Sequence, residues 1–308
     1  MLHDDEVKNN FIGFCTDNES KMISTKVSGL DNKTKALVIQ GQGLSNRLMK
    51  EIRHLIHVRD LCHLYNLVCE KAIGELPIFI IEFIKQVCSY FDKGLRDNRL
   101  REIQSEAGVK KPISILGFIK IRWTSLLSSV ERILDLWPFL EKYFQEEECL
   151  LGKKVQDPEY HLYSYLAYIL LHKLMGYTIY FQDPHLLYDE VEAKIREGYL
   201  LFSKMLLKKQ YQDLDFEVIH EINFADPNNK NFQEMVSDFE DFKQNFSLRY
   251  PRLEVLIEEV INSSPKRRSV RKKCYSHTKE FIIQVLNSTK ERLPLKDDIY
   301  IKSQVIFL

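Results

Sequence analysis

The sequence predicts a mainly α-helical protein with two short β-strands near its start. Both strand candidates, Phe11 to Thr16 and Leu55 to Val58, are short runs dominated by aliphatic, aromatic and β-branched residues, and such runs are typical of buried strands. From about Leu61 onwards, apolar residues recur at every third or fourth position, which is the spacing of one helix face. We therefore expect a small part with two strands and packed helices, residues 1–75, and a large all-α domain, residues 76–308.

The composition restricts the classes of function. The chain has 308 residues, of which 44 are basic and 44 acidic, so its formal net charge is zero and contact with nucleic acid depends on a local basic patch. Six scattered cysteines without a Cys-x-x-Cys pair favour free thiols in a reducing compartment. The most apolar stretch, Leu162 to Phe181, contains His172 and Lys173, and we interpret it as a buried helix rather than a membrane span.

The first strand candidate ends at Thr16, directly before Asp17 and Asn18. A residue just past a buried strand points into the crevice where ligands bind, and a carboxylate in that position suits Mg²⁺. An Asp-Asn pair after a strand also serves as a helix N-cap, so both roles stay open for Asp17. The polar segment from Met22 to Glu51 is predicted as an imperfect helix, a loop and a second helix starting near Ser45.

Helical spacing defines the remaining elements. Pro77 suits the first turn of a helix, and the polar stretch Gly94 to Lys111 is predicted to be a connector. Pro138 is expected to kink or restart a helix. The apolar faces of the helices on either side of the connector are Ile80, Ile81, Phe83, Ile84, Val87, Cys88 and Phe91, and then Leu126, Val130, Ile133, Trp137, Leu140 and Phe144. Further helices are predicted at Tyr160 to Leu187 with a break at Asp183, Val191 to Leu207, Phe232 to Phe246, Tyr250 to Ile261, and from Lys279 to near Pro294.

A basic run, Pro265 to Lys273, follows the penultimate helix. Such a run neutralises phosphates or acts as a nuclear-import address, and the alternative is a solvated linker. Its six cations are Lys266, Arg267, Arg268, Arg271, Lys272 and Lys273.

Three short motifs follow one another along the chain. Their residues are Thr16, Asp17, Asn18 and Met22; then His63, Asn66 and Leu67; then Arg122, Trp123 and Ser125. In this order and spacing they resemble the hAT superfamily of cut-and-paste DNA transposases and the host proteins domesticated from them. The resemblance covers most of the chain.

This resemblance implies a truncated RNase H-like α/β remnant followed by a helical insertion domain. In the family, two Asp and one Glu hold two divalent ions, which clamp the attacking and leaving oxygens of phosphoryl transfer. Asp17 matches the second acid, and we find no match to the first or the third. We therefore expect the chain to correspond to an internal part of a transposase. Mg²⁺ is implied as its cofactor only if other acids complete the site.

The second and third motifs imply further residues near that site. Asp60 stands where the family has Cys, so His63 is interpreted as a hydrogen-bonding residue near the sheet edge, with Asn66, rather than as a zinc ligand. Trp123, beside Arg122, matches an aromatic ring that holds a flipped base at the transposon end, and such stacking contributes about 1 to 3 kcal/mol. The alternative is that Trp123 is a core anchor and Arg122 is paired to an acid.

Three functions stay open from the sequence. The first is a catalytically inactive or domesticated hAT transposase derivative that binds DNA or protein, and we predict this one. The alternatives are part of an active Mg²⁺-dependent transposase and a helical protein-interaction module. The predicted partners are DNA and a protein or second copy of the chain, without a membrane or a small-molecule substrate, and the predicted location is nuclear with cytoplasmic as the alternative.

Overall fold

The computed structural model describes four short strands and most of the chain after residue 60. The described residues are 13–16, 26–30, 37–40, 56–59, 61–92, 94–116, 123–147, 149–182, 188–264 and 267–293. Two compact units are present, residues 1–67 and 68–308. A domain boundary between residues 75 and 76 stays a prediction.

In the first unit, two of the strands overlap the runs predicted as strands, Phe11 to Thr16 and Leu55 to Val58. These are β1 (Gly13–Thr16) and β4 (Ile56–Arg59). They pair in parallel, with Gly13 opposite Ile56 and Thr16 opposite Arg59. Because the strands are parallel, their carboxyl ends lie side by side.

The segment between these strands differs from the prediction. It contains an antiparallel pair, β2 (Lys26–Leu30) and β3 (Leu37–Gln40), where an imperfect helix and a loop were expected. The β-branched residues Val27, Val38 and Ile39 favour strands, and Gly29 disfavours a helix interior. The second helix expected near Ser45 lies outside the described residues.

Helices make up most of the described residues, so the mainly α-helical prediction is confirmed. They are α1 (Leu61–Ile73), α2 (Ile78–Phe91), α3 (Gly94–Glu106), α4 (Trp123–Asp135), α5 (Trp137–Glu146), α6 (Leu150–Val155), α7 (Pro158–Phe181), α8 (Tyr188–Leu206), α9 (Phe216–His220), α10 (Lys230–Met235), α11 (Phe239–Arg249), α12 (Pro251–Ser263) and α13 (Val270–Arg292).

The central helix of the second unit is α7, which packs against α2, α4, α6, α12 and α13. Its buried residues cover more than half of its circumference, among them Leu162, Tyr163, Leu166, Leu170, Leu171 and Leu174, and His172, Gly176 and Ile179 lie on the exposed side. A helix with such a wide apolar face is typical of a protein core, so the prediction that this stretch is a buried helix is confirmed for most of its circumference. None of the helices in the described ranges combines the length and apolar character that a membrane crossing requires.

The predicted faces of α2, α4 and α5 also lie in the core. Pro77 directly precedes α2, and the predicted apolar residues of these helices are buried except for Ile81, which is half-buried. The expected restart at Pro138 is present, because α4 ends at Asp135 and α5 begins at Trp137 with the proline in its first turn.

Two further predictions of helix limits were wrong. The polar connector contains α3, whose Leu100 and Ile103 are fully buried and whose Arg99 pairs with Glu106 and Glu146. The single helix predicted from Phe232 to Phe246 is divided into α10 and α11, because the chain between them pairs with the end of α8. There the Ser237 N–H donates to the Leu206 carbonyl at 2.8 Å.

Candidate nucleic-acid interface

The basic run lies where α13 begins. Arg267 and Arg268 form the turn before the helix, Ser269 is the N-cap residue, and Arg271 lies in the first helical turn. The predicted final helix thus starts at Val270 rather than at Lys279, and the alternative interpretation of a solvated linker does not apply to residues 270–273. Lys266 lies outside the described residues.

Arg267 is engaged within the protein. Its guanidinium donates two hydrogen bonds to the Asp157 carboxylate, of which the Nη2 to Oδ2 bond measures 2.8 Å. The same carboxylate accepts the Glu159 N–H at 3.0 Å and so caps α7. Asp157 therefore has two roles, because it caps α7 and also binds Arg267 in the turn before α13.

Arg271 is engaged with α12. Its Nη2 lies 3.1 Å from Glu254 Oε2 and also donates to Glu258. Glu254 in turn accepts hydrogen bonds from the Tyr275 hydroxyl and, at 2.9 Å, from Ser247 Oγ of α11. Arg271 therefore belongs to a hydrogen-bonded cluster that joins α11, α12 and α13.

The contacts of Arg267 and Arg271 lower the pKa values of their acidic partners, Asp157 and Glu254. Burial alone raises the pKa of the Asp157 carboxyl, but the hydrogen bonds from Arg267 and the Glu159 N–H outweigh burial, and the pKa is lower than usual. Burial likewise raises the pKa of Glu254, and the hydrogen bonds from Tyr275 and Ser247, with the Arg271 charge, lower it further than burial raises it. Both carboxyl groups are therefore ionised near neutral pH and remain ion-paired with Arg267 and Arg271.

The other three described cations of the run are available to a partner. Arg268, Lys272 and Lys273 are exposed, and their side chains make no hydrogen bond or ion pair with any described residue. The first turn of α13 contains no acidic residue. Because a helix start carries partial positive charge, cations there are unfavourable for the helix and favourable for an anionic ligand.

We call Arg268, Lys272 and Lys273 the exposed cation set. Three cations within six residues neutralise phosphates without reading bases, and such contacts release counterions from DNA. The arrangement can therefore bind a nucleic-acid backbone.

The structure brings few of the other predicted site residues together. His63 and Asn66 lie in α1, and the Asn66 side-chain nitrogen is 4.0 Å from Cys62 Sγ. Trp123 is the first residue of α4, followed two positions later by Ser125. Asp17, Asp60 and Arg122 lie outside the described residues, so their roles stay predictions.

Sequence reasoning missed the acidic partners of the basic run. Asp157 carried a visible signal, because an Asp directly before Pro158 is a typical helix start. Glu254 carried none, since a lone Glu in an amphipathic helix is ordinarily solvated. Only the tertiary structure shows that these two acids form ion pairs with two of the six cations.

Among the described residues, no group of three or more His, Cys, Asp and Glu side chains lies close enough together to hold a metal ion. Since Asp17 is not among them, a magnesium site at Asp17 stays a prediction. The chain was compared with protein-family models, curated proteins and solved structures, and no match was found in any of the three.

Proposed function

We propose that this protein is a catalytically inactive or domesticated hAT transposase derivative that binds DNA through Arg268, Lys272 and Lys273. The observation that carries the DNA-binding part is the exposed cation set, because its members have no acidic partner among the described residues. Arg267 and Arg271 have such partners and hold the set in position. The same run is proposed to direct the chain to the nucleus.

The transposase origin is supported by the three sequence motifs and by the local order of β1, β4 and α1. The parallel register places Thr16 opposite Arg59. In the sequence, Asp17 and Asp60 come directly after these two residues. A strand pair followed at once by a helix is compatible with a remnant of an RNase H-like core, which has acidic residues at the ends of its strands.

Loss of catalysis is proposed because a two-metal clamp requires several carboxylates. Of the three acids in the family, only Asp17 has a match in this sequence. Without bound metals the charge that develops on the phosphoryl group has no strong stabilisation. Binding of phosphates by surface cations does not depend on that chemistry.

DNA binding can be tested by fluorescence anisotropy with a labelled duplex over a series of salt concentrations. We expect the triple variant R268E/K272E/K273E to bind the duplex much more weakly than the unmodified chain. The slope of log affinity against log salt should become shallower by about 0.9 for each phosphate contact removed.

A matched control reverses three other exposed lysines, in the variant K110E/K111E/K209E. These side chains also make no ion pair with described residues, and the change in net charge is identical. The control should bind DNA nearly as well as the unmodified chain. Equal losses in both variants would mean that net charge, not the exposed cation set, governs binding and would contradict the proposal.

A further inference from the structure

We propose that Ser269 is a phosphorylation site for a basophilic serine/threonine kinase and that its modification releases DNA. The inference rests on the proposed DNA binding, since it describes regulation of the same surface. Ser269 follows Lys266, Arg267 and Arg268 and precedes Val270. Kinases select substrates by such charge patterns, and the basic residues before the serine match the basophilic class. Arg268 is exposed in the folded chain, whereas Arg267 is paired with Asp157 and Val270 is buried, so recognition of the whole run requires the turn before α13 to open.

The Ser269 hydroxyl is free for this chemistry. The residue is exposed and is the N-cap of α13, yet its side chain makes no capping hydrogen bond. Its backbone angles, φ −76° and ψ −9°, are helical, whereas a capping serine ordinarily has extended backbone. Modification therefore removes no hydrogen bond that the described structure depends on.

The reaction is an ordinary phosphoryl transfer from ATP. The Ser269 hydroxyl oxygen attacks the γ-phosphorus, the bond from that phosphorus to the bridging oxygen breaks, and ADP leaves. The hydroxyl proton passes to the catalytic base of the kinase. The product carries about −1.5 to −2 charges at neutral pH.

This charge would lie within the basic run. Arg268 is the preceding residue, and Lys272 and Lys273 follow within one helical turn. A phosphate at this position pairs with these cations and is also favoured by the helix start. It therefore competes with DNA for the exposed cation set and leaves α13 intact, which distinguishes it from a modification that unfolds the protein.

The experiment uses the full chain, a purified basophilic kinase and ATP. Tandem mass spectrometry should locate one phosphoryl group on Ser269. The variant S269A should lose that group, whereas S264A should keep it. Ser264 is the matched control because it lies in the same connection between α12 and α13 but is half-buried and is followed by proline.

The modified chain is then compared with the unmodified chain by anisotropy with the same duplex. We expect about 10- to 30-fold weaker binding, as for the loss of roughly two phosphate contacts, with an unchanged helical circular dichroism spectrum. Absence of phosphate on Ser269, or undiminished DNA binding after its addition, would overturn the inference. Failure of the unmodified chain to bind DNA would instead contradict the proposed function, while mass spectrometry still tests Ser269 separately.

Discussion

Arg267 and Asp157 form an ion pair with two hydrogen bonds across 110 residues of sequence. The pair joins the turn before α13 to the N-cap residue of α7, the central helix. Arg268, the next residue, is exposed and has no partner among the described residues. Adjacent arginines of one basic run therefore have different roles, one in stability and one available for binding.

This difference predicts opposite results for two alanine substitutions. Arg267→Ala should lower the free energy of unfolding by about 1 kcal/mol, which is less than is usual for charge-assisted hydrogen bonds because solvent partly screens the pair. Arg268→Ala should leave stability unchanged and weaken DNA binding. Urea denaturation and anisotropy measure the two effects. The division of roles would be wrong if Arg268→Ala destabilised the protein as much as Arg267→Ala.

Acid should weaken the fold through Asp157 and Glu254. Their pKa values are lowered in the folded state, so the unfolded chain binds protons more readily in acid. The stability they contribute is present above the unfolded pKa values, about 4, and is lost as pH falls through the lower folded values.

Glu254→Gln tests this pH dependence. The variant should be less stable than the unmodified chain at neutral pH, and the difference should shrink as pH falls below about 4. Urea denaturation at a series of pH values measures it. A difference that is constant with pH would show that the ionised state of Glu254 does not contribute.

Replacing two helical glycines with alanine should change the stability of the protein in opposite directions. At Gly198 of α8, an added Cβ would lie 2.9 Å from Cε1 of Tyr177, which is buried. At Gly176 of α7, an added Cβ meets no atom within 4 Å. Gly198→Ala should cost about 1 to 3 kcal/mol through overpacking, whereas Gly176→Ala should gain up to about 1 kcal/mol from helix propensity.

Thermal unfolding of both glycine variants, followed by circular dichroism, gives the sign of each change. A stabilised Gly198→Ala variant would mean that Tyr177 moves aside without cost. A destabilised Gly176→Ala variant would mean that the space beside α7 is occupied.

The chain should not nick a supercoiled plasmid with either Mg²⁺ or Mn²⁺, because one carboxylate does not assemble a two-metal clamp. Asp17→Ala should behave as the unmodified chain does, both in this assay and in DNA binding. Gel electrophoresis of the plasmid provides the measurement. Metal-dependent nicking that disappears in Asp17→Ala would support the active-transposase alternative instead.

Much of the helical unit could be predicted because its signals are local. The apolar residues around α7, the one-sided face of α2 and the restart at Pro138 are properties of neighbouring residues, so hydrophobic periodicity reveals them. Elements with weak local signals were missed. In α3, only Leu100 and Ile103 are fully buried apolar residues, and the β2 and β3 strands depend on each other for pairing.

The candidate site could likewise be predicted only in part, where its signals are local in sequence. The sequence by itself determined that six cations lie between residues 266 and 273, and that the chain around them is mainly helical. Only the tertiary structure decided that Arg267 meets Asp157 and that Arg271 meets Glu254, leaving Arg268, Lys272 and Lys273 exposed. The physical reason is that an ion pair forms between side chains close in space, and these acids lie 110 and 17 residues away along the chain.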